Sequence, residues 1–213
     1  MEKNDVIRQI AEVGLVPVIR VDSKEEALRA VSAMGRGGMS VLEITMTVPG
    51  ALQVIEAIRA QNPGVIVGAG TVLDAETARA CILAGAHFLV SPSLDLGVIA
   101  LCRRYSVAVM PGALTPTEVL AAWTAGADVV KVFPCGAMGG ASYIKSLKAP
   151  FPHIEMMPTG GVSLKTAADF IRAGSFALGV GADLVNAGDA SAITERALEY
   201  VRLVRETRAA KVT

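Results

Sequence analysis

The stretch Ala125-Gly126-Ala127-Asp128-Val129-Val130-Lys131-Val132-Phe133-Pro134 reads as a helix stop followed at once by a buried strand. Gly126 stands where a helix-terminating residue takes the left-handed conformation. The run after it lacks the apolar/polar alternation of a half-exposed strand, which suits a parallel strand covered on both faces. The same joint recurs at Ala84-Gly85-Ala86 and Ala173-Gly174-Ser175. Outward from it, apolar runs begin near Val16, Val41, Val65, Phe88, Val107, Val129, Ile154 and Ala177, at intervals of roughly 19–25 residues, the spacing of a strand–helix repeat. Helical patterns lie between them at Lys24 to Met34, Ala51 to Ala60, Ala75 to Leu83, Thr117 to Thr124 and Leu164 to Ala173. Their starts carry capping residues: Asp22 or Ser23, Asp74, Thr115 with Glu118 three positions on, and Ser163.

Eight such units after a leading helix from Asp5 to Glu12 predict an α/β fold, a (β/α)8 TIM barrel with an N-terminal helix; a doubly wound open sheet is the competing arrangement. No linker or low-complexity segment divides the 213 residues, so a single domain over 1–213 is expected.

Composition excludes several function classes. Lys plus Arg and Asp plus Glu number 20 each, so the net charge is zero and no nucleic-acid or anionic-membrane partner is expected. The mean hydropathy is high at +0.49, yet charged or Gly-rich stretches interrupt every apolar run, and no membrane-spanning segment is expected. Met1-Glu2-Lys3-Asn4-Asp5-Val6 carries both charge signs and does not read as a signal peptide. The three cysteines, Cys81, Cys102 and Cys135, are scattered, and only two histidines, His87 and His153, exist. Neither a disulfide framework nor a histidine-rich zinc site fits. Trp123 reads as helix packing, and His87 and His153 as surface or loop residues.

Barrel chemistry sits at the C-terminal strand ends. The polar residues there are Arg20, Glu43, Thr45, Thr71, Ser91, Lys131 and Thr159. If Lys131 points inward, Val129 and Phe133 share its face while Val130 and Val132 meet the helices. Apolar surroundings disfavour the charged amine, which is how a lysine becomes an imine-forming nucleophile. Glu43, a lone carboxylate in Val41-Leu42-Glu43-Ile44-Thr45, shares a face with Val41 and Thr45. A lysine to form an imine and a glutamate to move protons make a minimal set for imine and enamine chemistry. A buried ion pair that only supports structure is the competing explanation, but desolvation makes such pairs poor stabilisers. Two glycine turns, Thr159-Gly160-Gly161-Val162-Ser163 and Gly179-Val180-Gly181-Ala182-Asp183, follow strands seven and eight, where barrels commonly hold phosphate. Gly68-Ala69-Gly70-Thr71 is a weaker signal, read as close backbone approach that aims Thr71 inward.

With these motifs in view, the chain resembles the 2-keto-3-deoxy-6-phosphogluconate (KDPG) / 4-hydroxy-2-oxoglutarate (KHG) aldolase family over nearly its whole length. The resemblance rests on Glu43-Ile44-Thr45, Gly68-Ala69-Gly70-Thr71, Ser91-Pro92, Met110-Pro111-Gly112, Lys131-Val132-Phe133-Pro134 and Pro158-Thr159-Gly160-Gly161. It implies a cytoplasmic class I aldolase of carbohydrate metabolism, of the Entner–Doudoroff type, without metal or cofactor, assembled as a homotrimer and acting on small 2-keto acid and aldehyde substrates. It implies that Lys131 forms the imine and Glu43 is the general acid/base. Thr71 would hold the pyruvyl part, Pro92 and Phe133 would line the pocket, and Thr159, Gly160 and Gly161 would bound the phosphate end, with Gly181 and Ala182 beside them. Two positions depart from the family pattern. Thr47 stands where many members carry a carboxylate-binding arginine, leaving Arg20 and Thr45 at that end. Ala182 replaces a phosphate-binding serine, and Asp183 adds a negative charge next to it. The galactonate epimer of the substrate, a phosphate-binding barrel isomerase or epimerase, and a non-catalytic metabolite-binding barrel are the alternatives.

Overall fold

The computed structural model describes residues 1–210; the last three residues of the expected single domain lie outside them. A helix, α1 (Lys3–Val13), precedes alternating strands and helices: β1 (Leu15–Ile19), α2 (Lys24–Arg36), β2 (Val41–Thr45), α3 (Ala51–Gln61), β3 (Ile66–Gly70), α4 (Ala75–Leu83), β4 (Phe88–Val90) and α5 (Leu96–Arg104). There follow β5 (Ala108–Met110), β6 (Gly112–Ala113), α6 (Pro116–Ala125), β7 (Val130–Val132), α7 (Ala141–Lys148), β8 (Met156–Pro158), α8 (Ala167–Arg172), β9 (Leu178–Val180), α9 (Ala182–Val185) and α10 (Ala190–Ala209). All paired strands run parallel.

The fold is α/β, built on a curled parallel sheet of six strands in the order β5-β4-β3-β2-β1-β9, with β6-β7-β8 forming a second sheet of three. The interruption between β5 and β6 falls at Pro111, which has no amide to donate. Its carbonyl accepts from the Lys131 amide at 2.9 Å. An isolated bridge joins Thr159 to Gly179.

Strand alternation divides the core as the sequence predicts. Val16, Val41, Ile66, Phe88, Ala108 and Met157 form one buried cluster on the inner face, joined there by Val129. Val6 and Ile10 of α1 close this layer from the N-terminal end. Each such buried aliphatic side chain contributes about 1.5–3 kcal/mol. Leu42, Ile44, Val130 and Val132 belong to the larger cluster between sheet and helices. Polar contacts fasten the plug: Lys3 Nζ meets Asp128 Oδ1 at 2.7 Å, and Arg208 donates to the carbonyls of Ala11, Glu12 and Phe176.

Local signals explain the helix ends. Ser23, Asp74 and Thr115 accept from the amides three residues on, and Thr115 with Glu118 completes a capping box. Gly126 ends α6 with φ 100°. Two expectations fail. Ser163 does not start a helix: its amide donates to Thr166 Oγ1, which itself donates to the Gly161 carbonyl. These bonds hold residues 163–166 in a turn and delay α8 to Ala167. Trp123 lies on α6 but is exposed rather than packed, edge-on to His153 with ring centroids 5.8 Å apart. Among the described residues, no helix is long and apolar enough to cross a membrane.

Candidate active site

Lys131 and Glu43 meet on the inner face at the C-terminal side of their strands. Lys131 lies in β7 beyond Val129, and Glu43 in β2 beyond Val41. Lys131 Nζ is 3.9 Å from Glu43 Oε1, with Lys131 only 5% exposed and Glu43 fully buried. Neither Glu43 oxygen has a hydrogen-bond partner among the described residues. Burial pushes the Glu43 carboxyl above the usual carboxylate range, and the charges of Lys131 and then Arg20 pull it back only in part. A carboxyl whose proton is held more tightly than usual is suited to general acid/base work.

The glycines of β3 make this pair possible. Gly70 lies against the Glu43 carboxylate and Gly68 against the Phe88 ring, so a Cβ at either position would collide. The weak Gly68-Ala69-Gly70 signal therefore has a definite cause: the glycines leave room for side chains of neighbouring strands rather than for a ligand.

Thr71 follows directly, with φ 58°, a left-handed conformation that costs a threonine about 1–2 kcal/mol. Strain of this kind gathers at functional sites. It places the Thr71 hydroxyl 3.3 Å from an Arg20 guanidinium nitrogen, which donates to it. The Thr45 hydroxyl donates to the Ile19 carbonyl at 3.1 Å and lies 2.8 Å from Thr47 Oγ1. Ser91 is buried and donates to the Ser93 carbonyl, while the adjacent Pro92 packs its backbone against Gly112.

Beside the pair opens a cleft of about 690 Å3. Of the residues singled out in the sequence, Arg20, Phe133, Thr159, Gly160, Gly161, Gly181 and Ala182 line it. Glu43, Thr45, Thr71, Pro92 and Lys131 lie off its walls. Phe133 joins the two parts: its ring centroid is 5.5 Å from Lys131 Nζ, and its exposed side forms cleft wall. Thr159 is buried, with a hydroxyl oxygen that has no hydrogen-bond partner among the described residues. Gly160 and Gly161 have φ of 84° and 81°, a consecutive left-handed turn open only to glycine at low cost. The Cys135 thiol, close to this turn, is pushed up to about 11 by burial and donates to the Gly140 carbonyl at 3.5 Å. It is a packed thiol, not a nucleophile.

Sequence reasoning missed two residues around the cleft. Asn186 lines it, and Tyr200 stands behind it, its hydroxyl donating to Asp183 Oδ2 at 2.6 Å. Nothing local in the sequence marks Tyr200, which is 17 residues from its partner.

Comparison with known proteins agrees with this geometry. The family model for KDPG and KHG aldolase matches residues 6–202. The 2-dehydro-3-deoxy-phosphogluconate aldolase of Treponema pallidum (strain Nichols) is 32% identical over 206 residues, 93% of this chain and 97% of that one. A KDPG aldolase from Legionella pneumophila, solved with pyruvate captured at low pH as a covalent carbinolamine intermediate, superimposes with a TM-score of 0.83 at 26% identity, covering 93% of this chain and 97% of that one. A cube-shaped protein cage designed by fusing symmetric oligomeric domains matches with a TM-score of 0.88 at 34% identity, over 94% of this chain and 75% of the cage chain. The buried lysine–glutamate pair and these likenesses agree: the chain belongs to the KDPG and KHG aldolase family and is a carbon–carbon lyase.

Proposed function

We propose that the protein is a class I aldolase that cleaves 2-keto-3-deoxy-6-phosphogluconate to pyruvate and glyceraldehyde 3-phosphate, with 4-hydroxy-2-oxoglutarate, giving pyruvate and glyoxylate, as a second substrate. The observation that carries this reading is the buried Lys131–Glu43 pair, 3.9 Å apart, with both carboxylate oxygens free of hydrogen-bond partners among the described residues. A structural ion pair would be expected to satisfy those oxygens.

The Lys131 amine adds to the C2 carbonyl carbon to give a carbinolamine, and water leaves to form the iminium. Glu43 takes the C4 hydroxyl proton. The C3–C4 bonding electrons pass into the iminium, which becomes an enamine, and the aldehyde departs. A proton returns to C3, water adds to the iminium, and pyruvate is released with Lys131 restored. Arg20 and Thr71 receive the substrate carboxylate, with Thr45 and Thr47 beside them. Phe133 and Pro92 bound the pyruvyl part. Thr159, Gly160, Gly161, Gly181 and Ala182 bound the phosphate end, where backbone amides replace the hydroxyl that Ala182 lacks.

One catalytic domain spans the chain, and its two sheets are parts of a closed eight-stranded barrel. The Thr159–Gly179 bridge and the hydrogen bond that the Lys131 amide donates to the Pro111 carbonyl support this closure. Assembly as a homotrimer belongs to the same proposal, supported by the likeness to a cage of symmetric oligomeric domains.

Borohydride reduction in the presence of pyruvate, followed by intact mass and peptide mapping, tests the reading. A single reduced adduct on Lys131, absent from Lys131→Ala, is the expected result. No adduct on folded protein, or one that persists in Lys131→Ala, overturns it.

A further inference from the structure

The aldehyde end of the cleft carries a charge that phosphate binding does not want. Its wall residues include one acid, Asp183, and one cation, Arg20, and Arg20 is engaged with Thr71 at the other end. An unrestrained carboxylate beside a phosphate dianion repels it. Asp183 is not unrestrained. Its Oδ2 accepts from the Tyr200 hydroxyl at 2.6 Å and from Arg196 at 3.3 Å. The same Arg196 nitrogen donates to the Asp183 backbone carbonyl at 3.2 Å. Arg196 and Tyr200 are four residues apart and present one face of α10 to α9. Tyr200 is fully buried, so its hydroxyl is a fixed anchor. Arg196 supplies the compensating charge, with Glu199 3.9 Å from its Nε.

We propose that Arg196 and Tyr200 are positioning residues that determine specificity: they hold the Asp183 carboxylate against α10 and neutralise it, so that the cleft accepts a phosphorylated aldehyde end. This rests on the reading that phosphate lies between Gly160 and Ala182. The clamp compensates for an acid in the wall of the cleft.

The test runs the reaction in the condensation direction, pyruvate with D-glyceraldehyde 3-phosphate against pyruvate with D-glyceraldehyde. The readout is the ratio of the two kcat/KM values, which a general loss of fold or of imine chemistry leaves unmoved. Arg196→Met lowers the ratio about tenfold, mainly through KM for the phosphorylated aldehyde, the scale of one uncompensated charge near a site. Adding Asp183→Asn to Arg196→Met restores it. Tyr200→Phe, which removes only the hydroxyl, moves the ratio in the same direction by a smaller factor and serves if Arg196→Met does not fold. A high wild-type ratio that these variants leave unchanged, or that Asp183→Asn fails to restore, overturns the inference alone. A wild-type ratio near one overturns the phosphate reading and the inference with it.

Discussion

Replacing Glu43 with Gln keeps the side chain's size and removes its charge from a fully buried position. Two effects oppose each other. The variant loses the attraction of Lys131 at 3.9 Å, and it no longer has to desolvate a carboxylate whose oxygens have no partner. The direction of the carboxyl's displacement decides between them. It lies above the ordinary value even though Lys131 and Arg20 act to lower it, so burial outweighs both. Each tenfold rise in proton affinity on folding costs about 1.4 kcal/mol of stability once the group ionises. The charge-free variant should therefore be the more stable at neutral pH, by an amount on the order of 1 kcal/mol because the amide that replaces the carboxylate is itself buried without partners, and the melting temperature should rise by roughly 2–4 °C per kcal/mol for a chain of this size.

The sign reverses into a pH test. Well below the ordinary value of 4.5 the carboxyl is protonated in both folded and unfolded chains, and the two proteins are matched. As pH rises the unfolded chain releases the proton first, so wild type loses stability relative to Glu43→Gln. Melts followed by circular dichroism at pH 5 and pH 8 should show a gap that widens with pH, while aldol cleavage falls by about 100-fold or more. A variant that melts below wild type at pH 8 would refute the reasoning. So would a gap that does not grow: the first result makes Glu43 a stabilising member of an ion pair, and the second means that folding leaves its proton affinity unchanged.

Two further substitutions probe the frame around the pair. Gly70→Ala places a methyl group on the Glu43 carboxylate; it should cost about 1–3 kcal/mol and depress kcat, and unchanged turnover would show that Glu43 can move aside. His87 accepts from the Val67 amide and lies 2.6 Å from Arg59, and burial followed by the Arg59 charge lowers its pKa to about 4. Its neutral form therefore supports the fold above the ordinary value of 6.5, and that support fades as pH falls from 6.5 towards 4. The effect is on the order of 1 kcal/mol once partial exposure is discounted. His87→Gln should flatten the melting-temperature profile over that range, and parallel profiles would contradict it.

The repeat, the helix stops at glycine, three of the four caps and the inward face of the Lys131 strand were all legible in the chain. Each depends on neighbours within a few residues: an αL glycine, a side-chain oxygen three positions from an amide, a period of two. The helices α5, α7 and α10 are implied by the repeat but are not among the stretches delimited from the sequence, although Ile193, Ala197, Tyr200 and Val204 give α10 a regular buried face. Ser163 misled because a serine before an apolar run also favours a turn, and Thr166 made that turn the stable choice.

The chain by itself also named Lys131 and Glu43, since a lone charge in a strand otherwise buried on both faces is conspicuous. Their separation, the two orphaned carboxylate oxygens, the glycines that make room for Glu43 and the Arg20–Thr71 contact were decided only by the tertiary structure. These depend on strand register, which sets Glu43 beside Gly68 and Thr45 beside Gly70. The clamp on Asp183 is of the same kind. Its partners are 13 and 17 residues away on another helix, and only packing of α10 against α9 turns an unfavourable acid into a neutralised one.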